Sequence, residues 1–230
     1  MKKKILIIAG GFSKEREISL KTAKGVFNAI KKKYITKICE PNGELIKNLR
    51  AFKPNVVFNA LHGRYGEDGY IQSILELENI KYTHSGVLSS SIAIDKELSK
   101  KIFKKEKILT PQYFKYKFHN SEKKPFLINK IKKKIGFPVV IKPFNEGSSV
   151  EVYICNERNI LKKLNKLLPY KEIMIEKYIP GREIQVAIMG KRKLGAIELV
   201  PKRKFYDYQA KYNIKSKTKH IIPVKIEKKK

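Results

Sequence analysis

Apolar and polar positions along the first third of the chain follow a pattern typical of buried strands separated by amphipathic helices. Residues 4–9 form an apolar run, as in a strand buried on both faces, and two glycines end it. Residues 17–32 then place apolar side chains at helical spacing. Further strands are predicted at 34–39, 55–61 and 81–84, and further helices at 44–52, 70–78 and 87–94. Strands joined by such helices predict a parallel sheet with right-handed crossovers.

The pattern changes near residue 94, where we place a domain boundary. Residues 95–230 predict a mixed α+β region that opens with a strongly basic helix at 96–108. Strands are predicted at 112–116, 138–142, 150–155, 172–176, 183–189 and 193–199, and helices at 125–134 and from an Asn156 cap to 168.

The chain carries a large excess of basic over acidic residues. With 230 residues, 42% of them hydrophobic, the chain can bury a real core. The formal net charge is +31, but lysine outnumbers arginine 45 to 7. A nucleic-acid surface built on bidentate contacts would be richer in arginine. We therefore interpret most of the charge as solvated faces and expect no specific nucleic-acid partner, with a basic nucleic-acid-binding protein as the alternative.

The two cysteines and the apolar runs bear on the cellular compartment. Cys39 and Cys155 are far apart and form no metal-binding or disulfide pattern, which fits a reducing cytosol. The apolar start lacks a signal-peptide cleavage site, and no run approaches the ~20 residues of a membrane span. We expect a cytoplasmic protein without a membrane partner.

Two loops of small and polar residues follow predicted strands. Residues 145–149 offer backbone N–H groups to a phosphate beside Lys142, although such a sequence is more often an ordinary turn and the Walker spacing is absent. Residues 61–69 hold a histidine, an arginine and two acids at the carboxyl edge of the sheet, where parallel sheets bind ligands. A solvated glycine-rich turn is the competing interpretation.

Three further segments have both functional and ordinary interpretations. Glu15, in the first strand-to-helix turn, can receive an ammonium group or merely complement the helix dipole. Residues 205–212 interleave aromatics with lysine, as in a base-stacking groove or a loop that closes over a phosphate. Residues 176–179 end a strand where a carboxylate can accept from adenine or ribose, or where charges protect a sheet edge.

Taken together and in this order, these segments resemble the D-alanine–D-alanine ligase family of the ATP-grasp superfamily, from residue 4 to about 224. The motifs that carry the resemblance lie at 10–19, around His62, at Asp95-Lys96, at 140–150, at 176–183 and at 205–212. The resemblance implies a substrate-binding α/β domain with a parallel sheet at 1–94. It implies α+β ATP-grasp subdomains at 95–230, incomplete at the C-terminus.

The family's reaction supplies the expected function. ATP phosphorylates the carboxylate of one D-alanine, and the amine of a second attacks the acyl phosphate, for peptidoglycan precursor synthesis. The resemblance thus implies ATP and Mg²⁺ as cofactors, D-alanine as substrate and a homodimer. It leaves open whether the second substrate is D-alanine, D-lactate or D-serine.

The resemblance also assigns roles to particular residues. Lys96, Lys142 and Lys211 would contact the ATP phosphates. Glu176, Lys177 and Ile179 would meet adenine, and Glu183 the ribose. Glu15 would hold the ammonium of the first D-alanine, with His62 near its carboxylate. Glu15, Ser148 and Tyr212 would form a catalytic hydrogen-bonded set.

Two features depart from the family. Glu151 stands where the family usually has glycine, which adds a negative charge to the phosphate loop. No counterpart of the family's Mg²⁺ ligands or oxyanion-stabilising arginine is found, so these are expected beyond Lys230. A catalytically incomplete nucleotide-binding fragment is therefore a second hypothesis beside the ligase.

Overall fold

The computed structural model describes residues 2–118, 124–144, 146–202, 206, 208–213 and 216–226. Its contacts divide the chain into two units. The first comprises residues 1–110 and 144–147, and the second comprises 111–143 and 148–230. This division groups the predicted basic helix with the first unit, and the domain boundary at residue 94 stays a prediction.

The first unit is built on a three-stranded parallel sheet. Its elements are β1 (Lys4–Ile8), α1 (Arg16–Ile30), β2 (Ile35–Cys39), α2 (Leu45–Phe52), β3 (Val56–Asn59), α3 (Tyr70–Leu77), α4 (Val87–Ile94) and α5 (Lys96–Lys105). The strand order is β2-β1-β3, and both pairings are parallel. The predicted parallel sheet is confirmed.

The central strand β1 is buried on both faces, which explains its continuous apolar sequence. Leu6 and Ile8 pack into a cluster with residues of α2 and α3, whereas Ile7 packs on the opposite face with Ala23 of α1. All three strand residues have 0% exposure. Because successive side chains of a strand point to opposite faces, a strand covered by helices on both sides needs apolar residues throughout.

The strand predicted at 81–84 is wrong. Tyr82 forms a single parallel bridge with Val57, and no described strand extends from it. His84 has a φ of +82°, which ends the extended conformation at once.

The second unit contains two antiparallel sheets. Its elements are β4 (Tyr113–Lys117), α6 (Lys124–Lys134), β5 (Val139–Pro143), β6 (Tyr153–Cys155), α7 (Ile160–Leu167), β7 (Glu172–Lys177), β8 (Glu183–Met189), β9 (Arg192–Val200), α8 (Tyr208–Tyr212) and β10 (Lys219–Ile221). The first sheet has the order β4-β7-β5-β6 and the second the order β10-β9-β8.

Helices α6 and α7 cover one face of the four-stranded sheet. Ile131 of α6 and Leu164 of α7 belong to a core with Ile141 of β5 and Ile173 and Ile175 of β7. Strand alternation therefore turns Lys142 and Glu176 to the other face. The side chains of Lys142 and Glu176 are thus separated from the helix-covered core.

Three details of the second unit differ from expectation. The strand predicted from 150 begins at Tyr153, because positive φ angles at residues 148, 149 and 151 form a turn. Asn156 Oδ1 accepts from the N–H groups of Arg158 and Asn159 in a turn, and the helix begins later, at Ile160. Residues 208–212, predicted as loop, form α8; residues 205 and 207 lie outside the described part.

Within the described residues, no helix is both long enough and apolar enough to cross a membrane.

Candidate functional site

A cavity of about 520 Å³ lies in the second unit, where β8 begins and β9 ends. It is lined by residues 178–183, 198–201 and Tyr206. Ile179, whose side chain is exposed, and Glu183 are therefore brought to one cavity, as their predicted adenine and ribose roles require. Lys177 ends β7, one residue before this lining segment. The volume falls in the range of small-molecule sites.

Glu183 lies in a partly desolvated environment at this cavity. Loss of solvation raises the pKa of its carboxyl, and the positive charge of Lys211 opposes that rise. Lys211 belongs to α8, and its ammonium lies 5.4 Å from the ring centroid of Tyr206. Glu183 of β8 and Lys211 of α8 therefore interact electrostatically.

Lys142 and Glu176 form an ion pair on the face of the four-stranded sheet that is opposite α6 and α7. In the β5–β7 register, Lys142 is paired with Met174 and Glu176 with Val140, so the two side chains are diagonal neighbours. Lys142 Nζ contacts Glu176 Oε1, and the Glu176 residue is only 6% exposed. A cation held in such a poorly solvated position is suited to an anionic ligand.

The loop between β5 and β6 is connected to the segment around α8. Ser148 Oγ lies 2.7 Å from Tyr212 Oη, and Ser149 Oγ donates to the carbonyl oxygen of Tyr206 at 3.1 Å. The structure therefore brings together Ser148 and Tyr212, two members of the predicted catalytic set. Glu15, the third member, belongs to the first unit.

Glu151, the departure from the family pattern, also has a specific partner. It adopts a φ of +53°, a region that favours glycine. Its carboxylate accepts a hydrogen bond from Tyr153 Oη. Burial and this carboxylate raise the pKa of Tyr153, so the phenol stays a donor at neutral pH. The hydrogen bond from Tyr153 thus holds the added carboxylate next to β6.

In the first unit, the Glu15 carboxylate faces two glycines. Glu15 precedes α1 and is 3% exposed, and its backbone carbonyl accepts from the N–H groups of Ile18 and Ser19. A Cβ placed on Gly63 would lie 3.4 Å from Glu15 Oε2, and one placed on Gly147 would lie 3.6 Å from it. Glycine at these positions leaves space beside a buried carboxylate.

Glu67 belongs to the charged 61–69 loop, but the sequence assigned it no role of its own. Its Oε2 would lie 3.7 Å from a Cβ on Gly147, so Glu15 and Glu67 approach the same backbone position. In the sequence it is one of two adjacent acids in a glycine-rich loop, and that pattern equally describes a solvated turn. Only the contact with the distant 144–147 segment distinguishes it.

Asp95 and Lys96 have separate structural roles in the first unit. Asp95 caps α5 by accepting from the N–H groups of Glu97 and Leu98 at 2.8 and 3.0 Å. Lys96 Nζ donates to the carbonyl oxygens of Phe144 and Glu146. The predicted phosphate ligand Lys96 therefore holds the segment that carries Gly147.

His62 lies in the loop after β3 and is half-buried. Its Nε2 is 3.2 Å from Thr22 Oγ1 on α1. This contact fixes the ring between the loop and the helix.

Among the described residues, no group of three or more His, Cys, Asp or Glu side chains is placed to hold a metal ion. These residues do not form a magnesium site, and no step below is routed through one.

Comparison with known proteins identifies the family. The model for the N-terminal part of D-ala D-ala ligase matches residues 37–85, and that for its C-terminal part matches residues 102–230. The D-alanine–D-alanine ligase of Pelagibacter ubique is 62% identical over 229 residues, covering 99% of this chain and 75% of the relative. That of Carboxydothermus hydrogenoformans is 39% identical over 229 residues, covering 97% and 73%.

Solved structures agree with these sequences. The D-alanine–D-alanine ligase from Bacillus anthracis matches with a TM-score of 0.79 and 34% identity, over 98% of this chain and 73% of that one. The same enzyme complexed with ATP matches with a TM-score of 0.75 and 30% identity, over 98% and 72%. The chain belongs to the D-alanine–D-alanine ligase family, with its α/β ATP-grasp fold, and this family uses ATP with Mg²⁺.

Proposed function

We propose that this chain, together with the C-terminal segment that its relatives carry, catalyses the ATP-dependent ligation of two D-alanine molecules to D-alanyl-D-alanine, for peptidoglycan precursor synthesis. The observation that carries the proposal is its 62% identity over 229 residues with the D-alanine–D-alanine ligase of Pelagibacter ubique. The cavity beside Glu183 and the buried glutamate of the first unit supply the two kinds of site that the reaction needs: one for a nucleotide and one for a small zwitterion.

The family resemblance assigns the contacts to the nucleotide. Ile179 and Glu183 line the cavity and contact adenine and ribose, respectively. Glu176 and Lys177 complete the adenine contacts from the end of β7. The cationic side chains contact the phosphates: Lys96, Lys142 and Lys211. Their charges offset the negative charge that spreads over the transferred phosphoryl group.

The first D-alanine is held by the first unit. Its ammonium group binds the buried Glu15 carboxylate, because a charge-assisted hydrogen bond is strong where water is excluded. His62, fixed by Thr22, lies near the substrate carboxylate. Gly63 and Gly147 leave the space that the substrate needs beside Glu15.

The chemistry then proceeds in two steps. A carboxylate oxygen of the first D-alanine attacks the γ-phosphorus of ATP, and ADP leaves. The amine nitrogen of the second D-alanine attacks the carbonyl carbon of the acyl phosphate, loses a proton, and expels inorganic phosphate as the peptide bond forms. Ser148 and Tyr212 form one hydrogen-bonded pair, to which the family resemblance adds Glu15 as the third member of the catalytic set.

Cytoplasmic location and a homodimer belong to the same proposal. Family membership supports both, and the two reduced cysteines fit the cytosol. Sedimentation velocity of the purified chain measures the oligomeric state directly.

The proposal is tested by joining this chain to the remaining C-terminal segment of the Pelagibacter ubique relative. We expect phosphate release from ATP that depends on D-alanine and not on L-alanine. Glu15→Gln should lower kcat/KM for D-alanine by about 30-fold or more, because a buried ionic contact to the ammonium is lost. The matched control is Glu17→Gln, since the Glu17 side chain is 78% exposed. Equal loss in both variants, or no D-alanine dependence, overturns the proposal.

A further inference from the structure

Arg182 joins the three strands of the sheet beside the cavity. Its Nε and Nη2 donate to the two carboxylate oxygens of Glu198 at 2.7 and 2.6 Å. Its Nη1 donates to the carbonyl oxygen of Lys225 at 2.8 Å. Arg182 directly precedes β8, Glu198 lies on β9, and Lys225 follows β10. The guanidinium of the residue that precedes β8 therefore contacts β9 and the segment that follows β10.

The strand register places this contact next to the cavity. Glu198 is paired with Ile184 of β8 and with Ile221 of β10, so it lies on the central strand between them. The neighbouring pair in the β8–β9 register is Glu183 with Leu199. Arg182, Glu183 and Glu198 all line the cavity. The backbone position of Glu183 is therefore determined next to the contact between Arg182 and Glu198.

Arg182 and Glu198 carry opposite charges and form a bidentate ion pair. The Glu198 side chain is 12% exposed, and the Arg182 guanidinium lowers the pKa of its carboxyl, which is therefore ionised at neutral pH. A bidentate pair fixes both partners more strictly than a single contact, because two parallel hydrogen bonds define orientation as well as distance. A lysine ammonium cannot form these two parallel hydrogen bonds with one carboxylate.

We infer that Arg182 is a positioning residue of the nucleotide site: through Glu198 and Lys225 it holds Glu183 where the ribose hydroxyls of a nucleoside triphosphate are recognised. Arg182 itself need not touch the nucleotide. The inference rests on the proposed function, because it takes the ligand of the cavity to be ATP.

The test compares ATP with 2′,3′-dideoxy-ATP, which lacks both ribose hydroxyls. Their dissociation constants for the 230-residue chain are measured by calorimetry. We expect the wild-type chain to prefer ATP by about tenfold or more, as for hydrogen bonds to a charged group. Arg182→Met and Arg182→Lys should reduce this preference to about twofold or less. Arg192→Lys, at the far end of the same β8–β9 hairpin, should retain it.

The ratio of the two dissociation constants distinguishes a positioning role for Arg182 from a general loss of nucleotide affinity. A purely structural defect would lower the affinity for both nucleotides equally. Glu198→Gln should lose the preference to the same extent, and the Arg182→Lys/Glu198→Gln double variant should lose no more than either single one. Circular dichroism confirms that the variants are folded, and Glu198→Gln carries the test if Arg182→Met is not. If the Arg182 and Glu198 variants keep the preference, the inference is overturned. If neither the wild-type chain nor its fusion with the relative's C-terminal segment binds ATP, the proposed function fails.

Discussion

Ser148 Oγ and Tyr212 Oη lie 2.7 Å apart, although 64 positions separate the two residues. The contact joins the loop after β5 to the last residue of α8. Ser148 adopts a φ of +46° there, a conformation that a serine rarely takes without stabilising contacts. The hydrogen bond therefore helps to define the loop that the sequence resemblance assigns to the ATP phosphates.

This pair predicts a coupled effect on stability. Ser148→Ala and Tyr212→Phe should each lower the free energy of unfolding by about 0.5–1.5 kcal/mol, the usual net value of a hydrogen bond. The double variant should lose about as much as the larger single effect, because both changes remove the same interaction. Urea unfolding of the four proteins measures the coupling. Strict additivity would show that the hydroxyl groups do not interact in solution.

Substitution of Lys142 should abolish nucleotide binding. ATP should raise the unfolding temperature of the wild-type chain by mass action, and Lys142→Ala should abolish that rise by removing a cation from the phosphate site. The matched control, Lys162→Ala on the exposed side of α7, should leave it unchanged.

The Lys142 variant also leaves Glu176 without its lysine, which destabilises a buried pair. The double variant Lys142→Met/Glu176→Gln removes both charges and separates binding from folding. ATP protection that persists in this folded double variant would show that Lys142 does not bind the phosphates.

The strands of this protein were predictable where burial alone decides them. The apolar runs at β1 and β7 were assigned as strands because such runs report burial directly. The regions of β8 and β9 were also assigned as strands, although most of their side chains are exposed, so burial does not explain their sequence pattern. The strand predicted at 81–84 is wrong because Tyr82 pairs at one position only and His84 leaves the extended conformation. Pairing is a property of two segments, and a single segment does not encode it.

Only part of the candidate site could be predicted from the sequence. The motif order predicted Lys142, Ile179 and Glu183 as site residues; Ile179 and Glu183 do line one cavity, and the ligand contacts of all three stay predictions. That order did not predict Glu67, because an exposed acid in a glycine-rich loop has no local signature of the segment it approaches. The hydrogen bond of Glu151 to Tyr153 was equally invisible, since it depends on the positive φ of the turn.

The cysteines predict how stability depends on pH. Cys155 has 0% exposure, and burial raises the pKa of its thiol to about 12, with Lys163 opposing that rise. In the unfolded chain the thiol ionises near pH 8.5. Between these values the folded chain keeps a proton that the unfolded chain releases, so this contribution to stability is complete below pH 8.5 and declines as the pH rises towards 12.

Urea unfolding from pH 8 to 10 should therefore show a decline that is smaller in Cys155→Ser. Ellman's reagent at pH 8 should not react with Cys155 before unfolding. Rapid labelling of the native thiol would contradict the burial of Cys155.

The net charge of +31 predicts weak and salt-sensitive binding to DNA. Lysine-rich faces attract phosphates without reading bases, so dissociation constants of about 10⁻⁴ to 10⁻⁶ M are expected at physiological salt. Fluorescence anisotropy with two unrelated duplexes should give equal affinities that fall as salt rises. A sequence preference that survives physiological salt would favour a nucleic-acid-binding function instead.

The final prediction concerns turnover by these 230 residues assayed alone. The family resemblance implies that the ligands of two Mg²⁺ ions and an oxyanion-stabilising arginine lie beyond Lys230, and the chain covers 75% of its Pelagibacter ubique relative. One oxyanion donor alone is worth about 10²–10³ in rate, so we expect no measurable D-alanine-dependent phosphate release. Adding the relative's final segment, fused or as a second chain, should restore turnover, and Glu15→Gln in that fusion controls for contaminating ligase. Robust turnover by the 230 residues alone would show that the residues needed for phosphoryl transfer are already present among them.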